Sequence, residues 1–198
     1  MKLTLLDTGA GNLHSLKKAL VRATNADVVV EADPEAALRT DVFVLPGVGA
    51  FGPAARRIAG AREKIRDALL AGLPAIGICL GMQLLFTSSE EGEGKGLDVI
   101  PGSVTRLRTE QIPHMGWSPV TSTEPWLAKA LPSSLYFAHS FACRPDDPSH
   151  AIAMSEVPGD AFAAMAKRGR TIGCQFHPEK SSSEGVALLG ILVTEITK

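Results

Sequence analysis

Apolar residues follow two rhythms along this chain, and the rhythm changes after a polar stretch at residues 87–96. Before it, short unbroken apolar runs alternate with stretches whose apolar positions repeat every three or four residues. The runs at 3–6, 27–30 and 41–45 predict strands, and the last is apolar throughout after Asp41, as suits a strand covered on both faces. Between them, Leu13, Leu16, Leu20 and Ala23 mark one face of a helix whose other face carries Lys17, Lys18 and Arg22. A short helix is expected at 34–38, with Pro34 at its start. A longer one is expected at about 54–71, with Ile58, Ile65, Leu69 and Leu70 inward and Gly72 as its C-cap. A fourth strand, within Leu73-Pro74-Ala75-Ile76-Gly77-Ile78, leads into a helix start marked by Leu80, Leu84 and Leu85. Strands alternating with helices predict an open, mostly parallel sheet flanked by helices in three layers, with its site at the strands' C-terminal ends.

Residues 87–96 are acidic and Gly-rich, hence a surface loop. Beyond them the pattern predicts short strands at about 103–107, 113–120, 135–141, 151–155, 162–166 and 171–176. The last two flank Lys167-Arg168-Gly169-Arg170 as a hairpin. This half therefore adds antiparallel strands, interrupted by a short helix near 125–130 and closed by an apolar-rich helix at about 184–196. No repeat or linker divides the 198 residues, so one domain is expected.

The strand-to-helix junction carries Gly77-Ile78-Cys79-Leu80-Gly81. A cysteine between two glycines at such a junction has the layout of a nucleophile elbow, where a sharp turn holds the nucleophile at its tip. The helix start aims unpaired N–H groups at the sulfur, which favours the reactive thiolate. The plainer alternative is a buried core cysteine. A nucleophilic cysteine needs a base, and the base an orienting group. His177 and Glu179 stand just past a strand end in Cys174-Gln175-Phe176-His177-Pro178-Glu179, where Pro178 stops the ladder and a spacing of two puts both side chains on one side. His139 competes for the role of base. Attack on a carbonyl also needs an oxyanion hole. The Leu80 N–H is one donor, and Pro46-Gly47-Val48-Gly49, after the third strand, offers a second. That loop also reads as a plain Gly-rich turn. It lacks the Lys-Ser/Thr of a phosphate cradle.

Composition narrows the classes. Apolar residues make up 45%, charged residues 21%, and the net charge is −1, which points away from nucleic acid and from membrane surfaces. No apolar run reaches membrane-spanning length, and no signal-peptide pattern precedes the first strand. Three cysteines suit free thiols in a reducing cytoplasm, with Cys143 and Cys174 as core residues. No Cys/His spacing suits zinc, and no motif asks for a cofactor.

Together, Gly77-Ile78-Cys79-Leu80-Gly81-Met82-Gln83, Pro46-Gly47-Val48-Gly49 and His177-Pro178-Glu179 resemble the triad-type (class I) glutamine amidotransferases. Asp7-Thr8-Gly9-Ala10-Gly11-Asn12-Leu13-His14-Ser15, Pro113-His114-Met115-Gly116-Trp117 and His177-Pro178-Glu179-Lys180-Ser181 resemble the branch formed by the glutaminase subunits of imidazole glycerol phosphate synthases, from histidine biosynthesis. Ser118 and Thr8 depart from that branch, where Asn and an aromatic are more usual. The resemblance implies a glutaminase that needs no cofactor. Cys79 attacks the carboxamide of L-glutamine, Leu80 and Val48 N–H groups hold the oxyanion, His177 moves the proton, and Glu179 orients His177. It implies that Gln83 grips the substrate, aided by Gly49 in the Gly-rich loop, that Glu91 meets its α-amino group, and that the backbone of His139, Ser140 and Phe141 meets its α-carboxylate. The Gly47–Val48 peptide becomes a candidate switch. The implied partner is a (β/α)8-barrel cyclase that receives ammonia, with Asn12, Trp117, Tyr136 and Lys180 at the interface of a heterodimer. The rivals are the glutaminase subunit of another ammonia-channelling synthase, a stand-alone cysteine hydrolase, and a non-catalytic scaffold that binds a partner.

Overall fold

The computed structural model describes residues 1–9 and 13–198. In chain order the first half forms β1 (Lys2–Leu6), α1 (Leu13–Thr24), β2 (Asp27–Glu31), β3 (Val42–Leu45), α2 (Phe51–Ile58), α3 (Arg62–Leu70), β4 (Ala75–Ile78) and α4 (Leu80–Leu84). The second half forms β5 (Ser88–Ser89), β6 (Gly102–Arg106), β7 (His114–Ser118), α5 (Pro125–Ala128), β8 (Leu135–His139), β9 (Phe141–Pro145), β10 (Ala151–Val157), β11 (Asp160–Arg168), β12 (Thr171–Cys174) and α6 (Ser182–Thr197).

Seven strands form the main sheet in the order β10-β11-β12-β4-β3-β1-β2. The pairs from β12 to β2 are all parallel, while β10-β11 and β11-β12 are antiparallel. Strand alternation divides the core. Val42, Val44, Ile76 and Ile78 pack on one face with Leu16 and Leu20 of α1 and Leu188 and Leu192 of α6. Phe43 and Leu45 pack on the other with Ile58, Ile65 and Leu69 of the α2–α3 region. Every side chain of β3 is fully buried, and burying each such residue is worth about 1.5–3 kcal/mol. The result is the three-layer, mostly parallel architecture that the alternating pattern implies. Two small sheets sit beside it, β5-β6-β9 and the antiparallel pair β7-β8.

Four boundaries differ from the sequence pattern, each for a local reason. The single helix expected at 54–71 starts three residues earlier and is split by a 3-10 turn at Ala59–Ala61. Gly60 sits in that turn, where a helix interior would cost about 1 kcal/mol relative to Ala. Pro53 is tolerated because the N–H groups of a first turn have no intrahelical partner. The helix at 34–38 is only a 3-10 turn, Ala36–Leu38. The loop at 87–96 contributes the two-residue β5, parallel to β6. The strand expected at 135–141 is two strands meeting at Ser140, since β8 pairs with β7 while β9 pairs with β6 in another sheet. Each segment alone reads as apolar and strand-like, so nothing local marks the change of partner.

Candidate active site

The sheet order brings the candidate residues together. β4 lies between β3 and β12, parallel to both, with Gly77 opposite Leu45 on one side and Gly173 on the other. The loop from Pro46 to Gly49, Cys79, and the segment from Gln175 to Glu179 therefore leave the sheet at the same edge. In an open α/β sheet, ligand sites form at the C-terminal ends of such strands.

Cys79 adopts φ +48° and ψ −104° between β4 and α4, an unfavourable backbone conformation for any residue but glycine. Its N–H is held by Cys174 O at 2.6 Å. The flanking glycines are required by close packing rather than by their own dihedrals. A Cβ on Gly77 would sit 2.6 Å from Gly81 O, and one on Gly81 would sit 2.1 Å from Leu45 O. The loop after β3 is equally tight, since a Cβ on Gly47 would sit 1.6 Å from Ile78 O and 2.6 Å from Leu80 N. The Gly47–Val48 segment is thus pressed against the elbow's own backbone.

His177 follows β12 and is 1% exposed. Its Nδ1–H donates to Glu179 Oε1 at 2.8 Å, while Nε2 is buried without a partner among the described residues. The backbone of this turn is fixed at three points. His177 N–H donates to Tyr136 O at 2.8 Å. The buried Ser181 hydroxyl donates to His177 O at 2.7 Å and accepts from Tyr136 N–H at 2.9 Å. Burial opposes a charge on the imidazole, but its interactions with the Cys79 sulfur and then with Glu179 outweigh that cost, and the pKa is pushed up to about 9. The Cys79 sulfur, which interacts with the ring, also meets Gln175 Nε2 at 3.6 Å and Ala138 O at 3.9 Å.

His139 occupies a different environment. Its ring packs edge-on against Phe162 at 5.0 Å and His114 at 5.4 Å between centroids. Its Nδ1–H donates to Phe141 O at 2.8 Å. Burial drives its pKa down to about 4, so the ring is neutral at physiological pH. Among the described residues no carboxylate orients it, which separates it from His177 as a base.

A cavity of about 280 Å³ opens beside Cys79, at the small end of ligand-pocket sizes. Gly49, Leu80, Gln83, Glu91 and the turn from His139 to Phe141 line it. Gly47 and Val48 are not among its walls. Gln83 is buried, with Nε2 donating to Phe141 O at 3.2 Å and to Gln175 Oε1 at 3.4 Å. Glu91 reaches back to α2, where Oε2 accepts from Phe51 N–H at 3.0 Å. Pro113, Met115 and Ala138 complete the wall. A larger cavity of about 670 Å³ runs along α1 and α6 and contains none of the candidate chemistry. Among the described residues no three His, Cys, Asp or Glu side chains converge as a metal site, and no helix is long and apolar enough to cross a membrane.

Of the expected interface residues, Trp117 is 53% exposed rather than a core aromatic. It stands opposite Tyr136 in the β7–β8 register, with the rings edge to face at 6.1 Å. Met115, on the same strand face as Trp117, is 64% exposed. Lys180 is exposed next to the Glu179 turn. Asn12 lies outside the described residues. Ser118 is buried, and its hydroxyl is 3.1 Å from His114 Nε2, so the departure at this position is absorbed within β7. Thr8 is buried with its hydroxyl unpartnered among the described residues. Gln175, not among the expected site residues, is fully buried beside Cys79. It stands two residues before His177, on the same side of an extended segment.

The family model of class-I glutamine amidotransferases matches residues 4–189. The chain is 42% identical to the imidazole glycerol phosphate synthase subunit HisH of Halobacterium salinarum, over 94% of this chain and 90% of that one. It is 43% identical to the subunit of the same name from Synechococcus sp. (strain CC9902), over 96% and 92%. Its fold matches a crystal structure of a glutamine amidotransferase with TM-score 0.75 at 16% identity, covering 98% of each chain.

Proposed function

The chain belongs to the class-I glutamine amidotransferases, and from that membership we propose that Cys79, His177 and Glu179 form its catalytic triad. It is an amidotransferase that supplies the glutaminase function of imidazole glycerol phosphate synthase, working with a partner subunit. The observation that carries the triad reading is the state of His177. One ring nitrogen is fixed by a carboxylate, and the other is buried and unpaired, in electrostatic contact with a sulfur at a cavity wall.

Glutamine enters the cavity with its carboxamide against Cys79. The thiol proton resides on His177 Nε2, whose raised pKa keeps the ring charged, and the Cys79 thiolate attacks the carboxamide carbon. The oxyanion that forms is held by the Leu80 N–H and, once the Gly47–Val48 peptide is turned toward it, by the Val48 N–H. The tight packing of Gly47 on Ile78 and Leu80 supports this, because it holds the loop next to the elbow. His177 then hands its proton to the amide nitrogen, the C–N bond breaks and ammonia leaves. Water, deprotonated by His177, cleaves the remaining glutamyl thioester and returns the thiol. Glu179 keeps the ring in one tautomer and supports its charge. Gln83 spends both amide hydrogens inside the protein, which leaves Oε1 to accept from the substrate. Glu91 faces the α-amino group, and the turn from His139 to Phe141 faces the α-carboxylate.

Ammonia released into water would be protonated and lost as a nucleophile. We infer that the partner is a (β/α)8-barrel cyclase docking over the exposed Met115 and Trp117, next to Tyr136 and Lys180. An exposed Trp beside a second aromatic is the composition of an interface anchor. Cys79→Ala in the assembled synthase tests the reading. Glutamine-dependent synthesis should disappear while synthesis from added ammonia continues. Persistence of the glutamine-dependent reaction would remove Cys79 as the nucleophile.

A further inference from the structure

Gln175 is fully buried, and no step of the triad mechanism uses it. Its amide orientation is set by its neighbours. Phe141 O can only accept, so Gln83 must present its Nε2 there. The same Nε2 lies 3.4 Å from Gln175 Oε1. Turning the Gln175 amide over would set two NH2 groups against each other. Its Nε2 is therefore directed at the Cys79 sulfur, 3.6 Å away.

We propose that Gln175 is a further catalytic residue, a side-chain donor that holds the Cys79 sulfur as thiolate. A thiol is a weak acceptor, whereas a thiolate forms a charge-assisted hydrogen bond. The contact therefore favours the charged sulfur before attack. It does so again when the thioester C–S bond breaks and the electron pair returns to sulfur. Through Gln83 the same chain of amides reaches the cavity wall, so the donor is anchored by the residue that faces the substrate. This inference rests on the reading of Cys79 as the nucleophile.

The test is iodoacetamide labelling of the full-length chain, read by mass spectrometry on the Cys79 peptide, with the buried Cys143 and Cys174 as reporters of unfolding. Gln175→Met keeps the length without a donor. Gln175→Glu keeps an acceptor for Gln83 and removes the donor. Both should label about tenfold more slowly than wild type at pH 7, the size expected for a hydrogen bond to a charged group, and the gap should narrow at pH 10, where the thiolate is populated without help. In the assembled synthase kcat for glutamine should fall about tenfold while KM changes by less than about threefold. A purely structural role would leave the folded protein labelling at the wild-type rate, and that result overturns the proposal. Should both variants label Cys143 and Cys174 as well, wild-type NMR decides. The Gln175 side-chain amide resonance should shift as Cys79 ionises and lose that shift in Cys79→Ala, and an amide indifferent to the sulfur refutes the donor. If wild-type Cys79 forms no glutamyl adduct at all, the nucleophile reading fails and the catalytic role of Gln175 falls with it, whereas unchanged labelling in the two variants overturns the donor alone.

Discussion

His177 keeps its proton more tightly in the folded protein than in the unfolded chain, with a pKa of about 9 against the ordinary 6.5. The folded state therefore binds a proton that the unfolded state releases between those values. The stabilisation is complete below about pH 6.5 and is lost as pH rises through about 9. Unfolding free energy measured across that window should fall by on the order of 1–3 kcal/mol, and His177→Asn should flatten the slope. In the proposed mechanism this proton is handed to ammonia, so kcat/KM for glutamine should decline above about pH 9. Glu179→Gln keeps a partner for the ring but removes its charge. It should lower kcat by about 10²- to 10⁴-fold and move the alkaline decline to lower pH. A decline that stays in place would show that Glu179 only positions the ring. At this scale the sequence was informative wherever chemistry forces a pattern. Gly-x-Cys-x-Gly marks a turn in which side chains would collide, and His177-Pro178-Glu179 marks an imidazole and a carboxylate paired past a strand end, which we propose as base and orienter. Gln175 obeyed the same alternation, yet the donor role we propose for it depends on Gln83, 92 residues away, and no local pattern reports that contact.

Among the elements, the elbow is the most constrained. β3, β4 and α4 approach so closely that carbonyl oxygens stand where Cβ atoms would be at Gly47 and Gly81. Gly81→Ala must push α4 off β3, and should destabilise the fold by about 1–3 kcal/mol or more, as overpacking does. Gly47→Ala should displace the loop to which we assign the second oxyanion donor and depress kcat even in protein that remains folded. Thermal unfolding and glutaminase assays on the two variants check both. A Gly47→Ala protein with wild-type kcat would mean that this loop's position does not matter to the chemistry. Strand and helix identity was legible from the two rhythms of apolar positions, but two interruptions were not. Gly60 breaks a helix whose periodicity continues across it. The turn at Ser140 breaks an apolar segment whose halves belong to different sheets, and that turn supplies a wall of the cavity.

For the molecule as a whole, function depends on the late strand β12 being inserted beside β4, with almost a hundred residues of chain between them. That pairing unites three strand ends, and the order of strands in the sheet could not be read from a pattern of short apolar runs. The alternation did imply a parallel sheet with a site at one edge, and the resemblance of a few motifs supplied which segments meet there. The surface beside the site, with Met115 and Trp117 exposed on β7, is the face we assign to the partner subunit. Trp117→Ala should leave the stability of the isolated chain within about 0.5 kcal/mol while weakening association by about 2 kcal/mol or more, as titration calorimetry with the partner would register. The central claim is that one sulfur, Cys79, carries the glutamyl group. It is tested most directly by treating the wild-type protein with a glutamine analogue that bears a chloroketone in place of the carboxamide, and locating the adduct by mass spectrometry. The account predicts a single adduct on Cys79, blocked by excess glutamine and absent from Cys79→Ala. An adduct on Cys143 or Cys174, or none on a protein that still turns glutamine over, would contradict it.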